Sequence, residues 1–380
     1  MTVSAPAEAA SDAAATERGI VDCDVHCYFK DGLNDLAPFL SETWRQLLGI
    51  GNAEWSTHFN GGRVGLPRND FYPLVSGSIR RDAVPEDGSI ASSNPQQVID
   101  KLLDPYGIER AVLLGGPFSG LGSFPNNDVA AALASAYNDW LSETWLAYDK
   151  RFRGAMLVAP NAPELAVKEI ERVADRPGFT GIHMPAPSAA PGEKQFWPVY
   201  EAAQHYGLPI MNHGGEEATY RLSPQLAYVP TYYVEWHATC TQSAQSSLAS
   251  LLVHGVFEKF PHLYYVFVEM GFAWMADLIW RLTRNWKAQH KEIPWVKRPP
   301  AEYVSSNVRF TTQPFYEPAK PEHLHAILEV IDAENTLVFA SDYPHWDFDD
   351  PKRALTALPK SLRPSVFGDS ARKMFGDRLN

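Results

Sequence analysis

Short apolar runs alternate with stretches of helical periodicity along most of this chain. Ile20 to His26, Arg110 to Gly115, Phe152 to Ala159, Phe179 to Met184, Leu208 to Asn212, Tyr264 to Val268, Val308 to Thr312 and Thr336 to Ser341 each read as a strand. Helical patterns fill the intervals: Asn127 to Asp149, with Asn126 or Asn127 as its cap, Ala162 to Ala174, Phe196 to Tyr206, Thr241 to Phe260, Trp274 to Lys287 and Pro321 to Ile331. Parallel strands require crossover connections, usually helices. Eight strands alternating with helices therefore predict an α/β fold, a (β/α)8 TIM barrel, with functional groups at the carboxyl ends of its strands. Pro359 to Gly376 reads as a closing helix packed back on the barrel.

The beat is broken once, by about eighty residues between the first and second strands. This stretch, about 45–100, reads as an inserted cap near the mouth of the barrel. It holds the turn signals Asn60-Gly61-Gly62 and Pro85-Glu86-Asp87-Gly88, and Trp55, Phe59, Phe71 and Tyr72 make it too aromatic for an idle linker. Residues 1–18 are rich in Ala and carry Glu8, Asp12 and Glu17 without a basic start, so they read as a disordered tail and not as a signal peptide. Residues 19–380 are expected to form a single barrel domain.

Composition narrows the functional classes. With 380 residues, 21% charged and 45% hydrophobic, the chain can bury a large core. A net charge of −12 argues against nucleic acid and anionic membrane surfaces as partners, and no apolar stretch approaches the roughly 18 residues of a membrane span. Cys23, Cys27 and Cys240 fit neither a disulfide framework nor a zinc ribbon, which points to a cytoplasmic setting.

The chemistry gathers at strand ends. Asp24 and His26 stand two apart on the first strand, so their side chains point the same way and can grip one ion together. His213 ends the run Pro209-Ile210-Met211-Asn212, and Asp342 ends the run from Leu337 to Ser341. Four ligands from three strand ends suggest one mononuclear site. Imidazole and carboxylate suit zinc, manganese or iron, and no thiolate stands at a ligand position.

These motifs, with Phe196-Trp197-Pro198, Gly255-Val256-Phe257-Glu258-Lys259-Phe260-Pro261 leading to Glu269-Met270-Gly271, Asp342-Tyr343-Pro344-His345 and Gly368-Asp369-Ser370-Ala371-Arg372, make the chain resemble the amidohydrolase-related family from about Gly19 to its end. That family includes aminocarboxymuconate-semialdehyde decarboxylase, resorcylate-type decarboxylases and related lactonases and hydrolases. The resemblance implies Asp24, His26, His213 and Asp342 as ligands of one divalent ion, zinc first and manganese or iron next. It also implies that Asp342 exchanges a proton with water or substrate, and that the protein is a homodimer. Two positions depart from the family pattern: Asp24 stands where His or Glu is usual, and Glu269 replaces the sixth-strand His of the decarboxylases. Glu269 can serve as a general base, or as a general acid if burial lifts its pKa.

His183, His237, His254 and His345 are the candidates for a substitute catalytic imidazole, with His183 and His345 foremost against their plain readings as a core hydrogen-bonding group and a loop cap. His237 reads as part of a helix entry or the cap, and His254 as a packing residue. Arg63, Arg68 and Arg80 could fork onto a substrate carboxylate, with surface salt bridges as the alternative. The leading expectation is a metal-dependent decarboxylase of a small aromatic or unsaturated carboxylic acid. A metal-dependent hydrolase of a lactone, amide or ester is its rival, and a catalytically inactive binding or assembly barrel is the third possibility.

Overall fold

The structure, a computed structural model, describes residues 19–51, 79–214 and 232–380. The expected tail at 1–18 and much of the expected cap, including Arg63, Arg68, Trp55, Phe59, Phe71 and Tyr72, lie outside the described residues.

Eight strands form one sheet in sequence order: β1 (Ile20–His26), β2 (Ile108–Leu114), β3 (Phe152–Leu157), β4 (Phe179–His183), β5 (Ile210–His213), β6 (Tyr265–Val268), β7 (Val308–Thr311) and β8 (Leu337–Val338). Every neighbouring pair is parallel. The sheet closes on itself where Cys23 N–H donates to Phe339 O at 2.9 Å, Asp342 N–H to Asp24 O at 3.1 Å and His26 N–H to Tyr343 O at 2.8 Å. This is the predicted (β/α)8 barrel. Val21, Cys23, Val112, Leu114, Met211, Val266, Val268 and Val338 form one buried cluster together with Ala371, Met374 and Phe375 from the closing segment. The opposite faces of the strands pack against the helices in a second, larger cluster.

Several boundaries differ from the expectation, each for a local reason. The helix expected to run from Asn127 to Asp149 is α-helical over Asn127–Leu141 and then widens into a π turn, Ser142–Leu146. Asn126 Oδ1 caps its start by accepting from Asp128 N–H and Val129 N–H. The stretch from Thr241 to Phe260 is two helices, Thr241–Val253 and Val256–Lys259, because Gly255 turns left-handed at φ 75° between them. The end of the expected insertion and the stretch that follows it are helical: Pro95–Val98, Ile99–Leu103 and Asp104–Tyr106 lead directly into β2. The closing stretch is a π turn, Ser365–Asp369, followed by the helix Ser370–Phe375. The ladder of β8 is shorter than the expected Thr336 to Ser341: Thr336 ends the helical turn Ala333–Thr336, and beyond Val338 the Phe339 N–H donates to Val366 O at 2.9 Å, outside the β7 pairing. No helix among the described residues is long and apolar enough to cross a membrane.

Candidate metal centre

Asp24, His26, His213 and Asp342 converge at the carboxyl ends of the strands. One donor atom from each lies within 4.8 Å of all the others, and all four side chains are buried. His26 Nε2 is 2.9 Å from Asp342 Oδ1 and 3.4 Å from Asp24 Oδ1, and His213 Nε2 is 3.5 Å from Asp24 Oδ2. Despite this crowding, neither oxygen of Asp24 nor either ring nitrogen of His26 has a hydrogen-bond partner among the described residues. Buried polar atoms are normally satisfied. Atoms aimed at one point, and not at one another, are what a shared cation would satisfy, and two imidazoles with two carboxylates fit a divalent ion.

The local structure favours ligation. His213 Nδ1 lies 2.6 Å from Gly214 O, a contact that places the proton on Nδ1 and leaves the Nε2 lone pair toward the cluster. Burial holds His26 well below the ordinary histidine pKa despite the opposing charge of Asp24, so the ring is neutral as a ligand must be. Gly116 packs so closely that a Cβ there would stand 3.0 Å from His26 Nδ1. Asp342 and Glu269 both take left-handed backbone angles, φ 59° and 55°. Non-glycine residues hold that conformation only where their surroundings over-determine it, a pattern concentrated at functional sites.

A second group of titratable side chains adjoins the first. Glu269 Oε2 is 3.3 Å from His213 Nε2, while its Oε1 is 3.5 Å from His237 Nε2. His237 Nε2 is 3.2 Å from Asp347 Oδ2. Gln313 Nε2 donates to Asp347 Oδ2 at 2.9 Å and to Asp342 Oδ2 at 3.3 Å, closing a chain of polar contacts from one metal-ligand candidate to another. On the other side His345 Nδ1 is 2.7 Å from Asp342 Oδ1, and its Nε2 is 2.8 Å from Tyr28 Oη.

Burial raises the Asp342 carboxyl to about 7 against the charge and hydrogen bond of His345. Burial, and then the charge of Asp342, raises Glu269 as well. Hydrogen bonds to Asp347 and Glu269 lift His237 to about 10. Burial pulls His345 down, but the charge of Asp342 together with Tyr28 outweighs it and holds the ring well above the ordinary value.

Of the residues singled out in the sequence, Asp24, His26, His213, Asp342, Glu269 and His345 come together here. His183, buried at the end of β4, accepts the Gly115 N–H on Nδ1 at 3.3 Å. Arg80 stands near the His345 loop, its N–H donating to Pro344 O at 3.0 Å. Its guanidinium is committed to both oxygens of Asp82 at 2.6 and 2.7 Å and lies over the Phe348 ring.

His237 is the main residue that sequence reasoning set aside. It sits on a helix, Tyr233–Thr239, in the segment after β5. An imidazole thus stands beside position 269 even though the sixth strand ends in a carboxylate. Asp347 and Gln313 were also missed; Gln313, two residues beyond β7, was within reach of the rule that strand ends line the site.

Comparison with known proteins bears on the family and the fold. The gamma-resorcylate decarboxylase of Polaromonas sp. (strain JS666 / ATCC BAA-500) is 28% identical over 292 residues, covering 72% of this chain and 85% of that protein. An amidohydrolase from Mycobacterium avium subsp. paratuberculosis K-10 superposes with a TM-score of 0.68 at 19% identity, covering 95% of this chain and 99% of its own. A dihydroxybenzoic acid decarboxylase from Polaromonas sp. JS666, solved with manganese and 2-nitroresorcinol, superposes with a TM-score of 0.61 at 20% identity, covering 94% of this chain and 97% of its own. The sequence model of the amidohydrolase family matches residues 93–376. By that match and by its fold, the chain belongs to the amidohydrolase family.

Proposed function

We propose that this protein is a metal-dependent decarboxylase acting on a small aromatic carboxylic acid. The observation behind this reading is the buried convergence of Asp24, His26, His213 and Asp342, with Glu269 and Asp342 both carrying raised carboxyl pKa values beside it. The relative named gamma-resorcylate decarboxylase supports the substrate class. The donor set accepts zinc, manganese or iron, and the manganese of the solved dihydroxybenzoic acid decarboxylase favours manganese over the zinc expected from sequence. Bound there, the ion supplies Lewis acidity and a template for substrate oxygens.

The protein's own groups account for the proton. Glu269, its carboxyl raised by burial, stands at the edge of the cluster, where it is positioned to deliver a proton to the ring carbon bearing the carboxylate. The electron pair of the breaking carbon–carboxylate bond returns to the ring and carbon dioxide leaves, so one proton enters for each carbon dioxide lost. His237, itself held by Asp347, fixes the Glu269 carboxylate from the side away from His213. Asp342, hydrogen-bonded to His345, is the second group able to exchange a proton. His183 lines the same end of the barrel as a positioning group. A cytoplasmic homodimer belongs to the same reading, and sedimentation would check the subunit number.

The test is direct. Protein reconstituted with Mn²⁺ is incubated with a panel of hydroxybenzoates while carbon dioxide release is followed, and in parallel with aryl lactones while acid release is followed. Carbon dioxide from at least one hydroxybenzoate is expected. Lactone turnover without any carbon dioxide would replace this reading with the hydrolase.

A further inference from the structure

Asp22 lies two residues before Asp24, is fully buried, and contributes no atom to the four-donor set. Its Oδ1 accepts the Ser341 N–H at 2.9 Å and the Asp24 N–H at 3.3 Å. Its Oδ2 is buried with no hydrogen-bond partner among the described residues.

Both of those amides have lost the partner that a regular sheet would supply. Along β1 the pairing with β2 slips between Asp22 and Val25, a bulge that takes Asp24 off the ladder. Across the closing seam, Cys23 N–H donates to Phe339 O. In a regular parallel ladder the Ser341 amide would then return to Cys23 O. The next backbone rung is instead Asp342 to Asp24, one residue further along each strand. The slip places Asp24 and Asp342 at the site together, and it leaves Asp342 in its left-handed conformation at φ 59°. Such a conformation persists only if neighbouring contacts hold it.

We infer that Asp22 is a positioning residue for the metal centre, its Oδ1 replacing the missing rung and pinning the backbones of Asp24 and of Ser341-Asp342 in ligating register. It acts through those two ligands and does not itself reach the ion. Its side chain joins segments 319 residues apart in sequence, which no local contact within β1 can do. The inference rests on the metal reading of the site and is independent of which reaction the site performs.

The experiment measures Mn²⁺ affinity of the metal-stripped protein by competition with a fluorescent chelator, alongside its melting temperature without metal. Asp22→Ala removes the acceptor and is expected to weaken Mn²⁺ binding roughly 10–100-fold, as losses behind a ligand shell do. Asp22→Asn keeps an oxygen in the Oδ1 position and is expected to stay within about 3-fold of wild type, a rescue that general loss of packing would not produce. Should Asp22→Ala fail to fold, Asp22→Ser, whose hydroxyl is too short to span both amides, provides the same contrast. Wild-type affinity in Asp22→Ala, or an Asn variant as weak as the Ala variant, overturns the inference. Wild-type protein that binds no Mn²⁺ overturns the metal reading and this inference with it, a result distinct from either of those.

Discussion

His237→Gln probes the polar chain beside the metal centre with an effect whose size and pH dependence both come from geometry. The imidazole sits 3.2 Å from Asp347 and 3.5 Å from Glu269, and its side chain is 18% exposed. The hydrogen bonds to Asp347 and then to Glu269 raise it from 6.5 to about 10. A rise of that size corresponds to at most about 5 kcal/mol of folding free energy, and screening at the partly open mouth reduces the expected value to roughly 2–3 kcal/mol. Because the folded state binds the proton more tightly than the unfolded chain, this stabilisation is complete below 6.5 and declines as pH climbs toward about 10. Urea unfolding of metal-free wild type and His237→Gln, at intervals between about pH 6 and pH 10, should show a gap of roughly 2–3 kcal/mol that narrows steadily with rising pH. A gap that stays constant over that range, or widens, would show that His237 is not held as an imidazolium by these two carboxylates.

Other substitutions test the remaining parts. His213→Ala should lower metal affinity by about 100-fold or more while far-UV circular dichroism stays that of the folded barrel; a full equivalent of tightly bound metal in that variant removes His213 from the ligand set. Glu269→Gln should keep its metal yet lose roughly 10²–10⁴-fold in kcat, the range of a lost acid–base group; unchanged turnover would leave Glu269 a structural role only. Gly214→Ala places a Cβ 2.7 Å from the Glu269 carbonyl oxygen and should cost about 1–3 kcal/mol in urea unfolding; a loss under about 0.5 kcal/mol would mean the strand-end backbone yields more easily than its contacts imply.

The barrel was legible because strands covered on both faces read as unbroken apolar runs, and Val266-Phe267-Val268 or Leu337-Val338 cannot be mistaken for surface. The metal-ligand candidates were legible for a related reason: His26, His213 and Asp342 stand where such a run stops, which in a barrel is where side chains meet, and Asp24 points the same way two residues before His26. Helix ends were read less well. The break at Gly255 was hidden because apolar residues continue on both sides of it, and only the left-handed turn divides them.

The residues beside His237 in sequence do not reveal its surroundings in the fold. Its helix belongs to a long connection after β5 without apolar periodicity, and nothing within Tyr233–Thr239 announces that Glu269 and Asp347 lie across from it. Asp22 shows the same limit. It stands two residues before Asp24 on the same strand, and nothing in the sequence announces that its oxygen is spent on the backbone of Ser341 and Asp24. Periodicity reveals which residues arrive at the mouth of a barrel. Which of them grip an ion and which grip the chain depends on the local register of β1, and here its pairing with β2 slips between Asp22 and Val25, where the ligands are held.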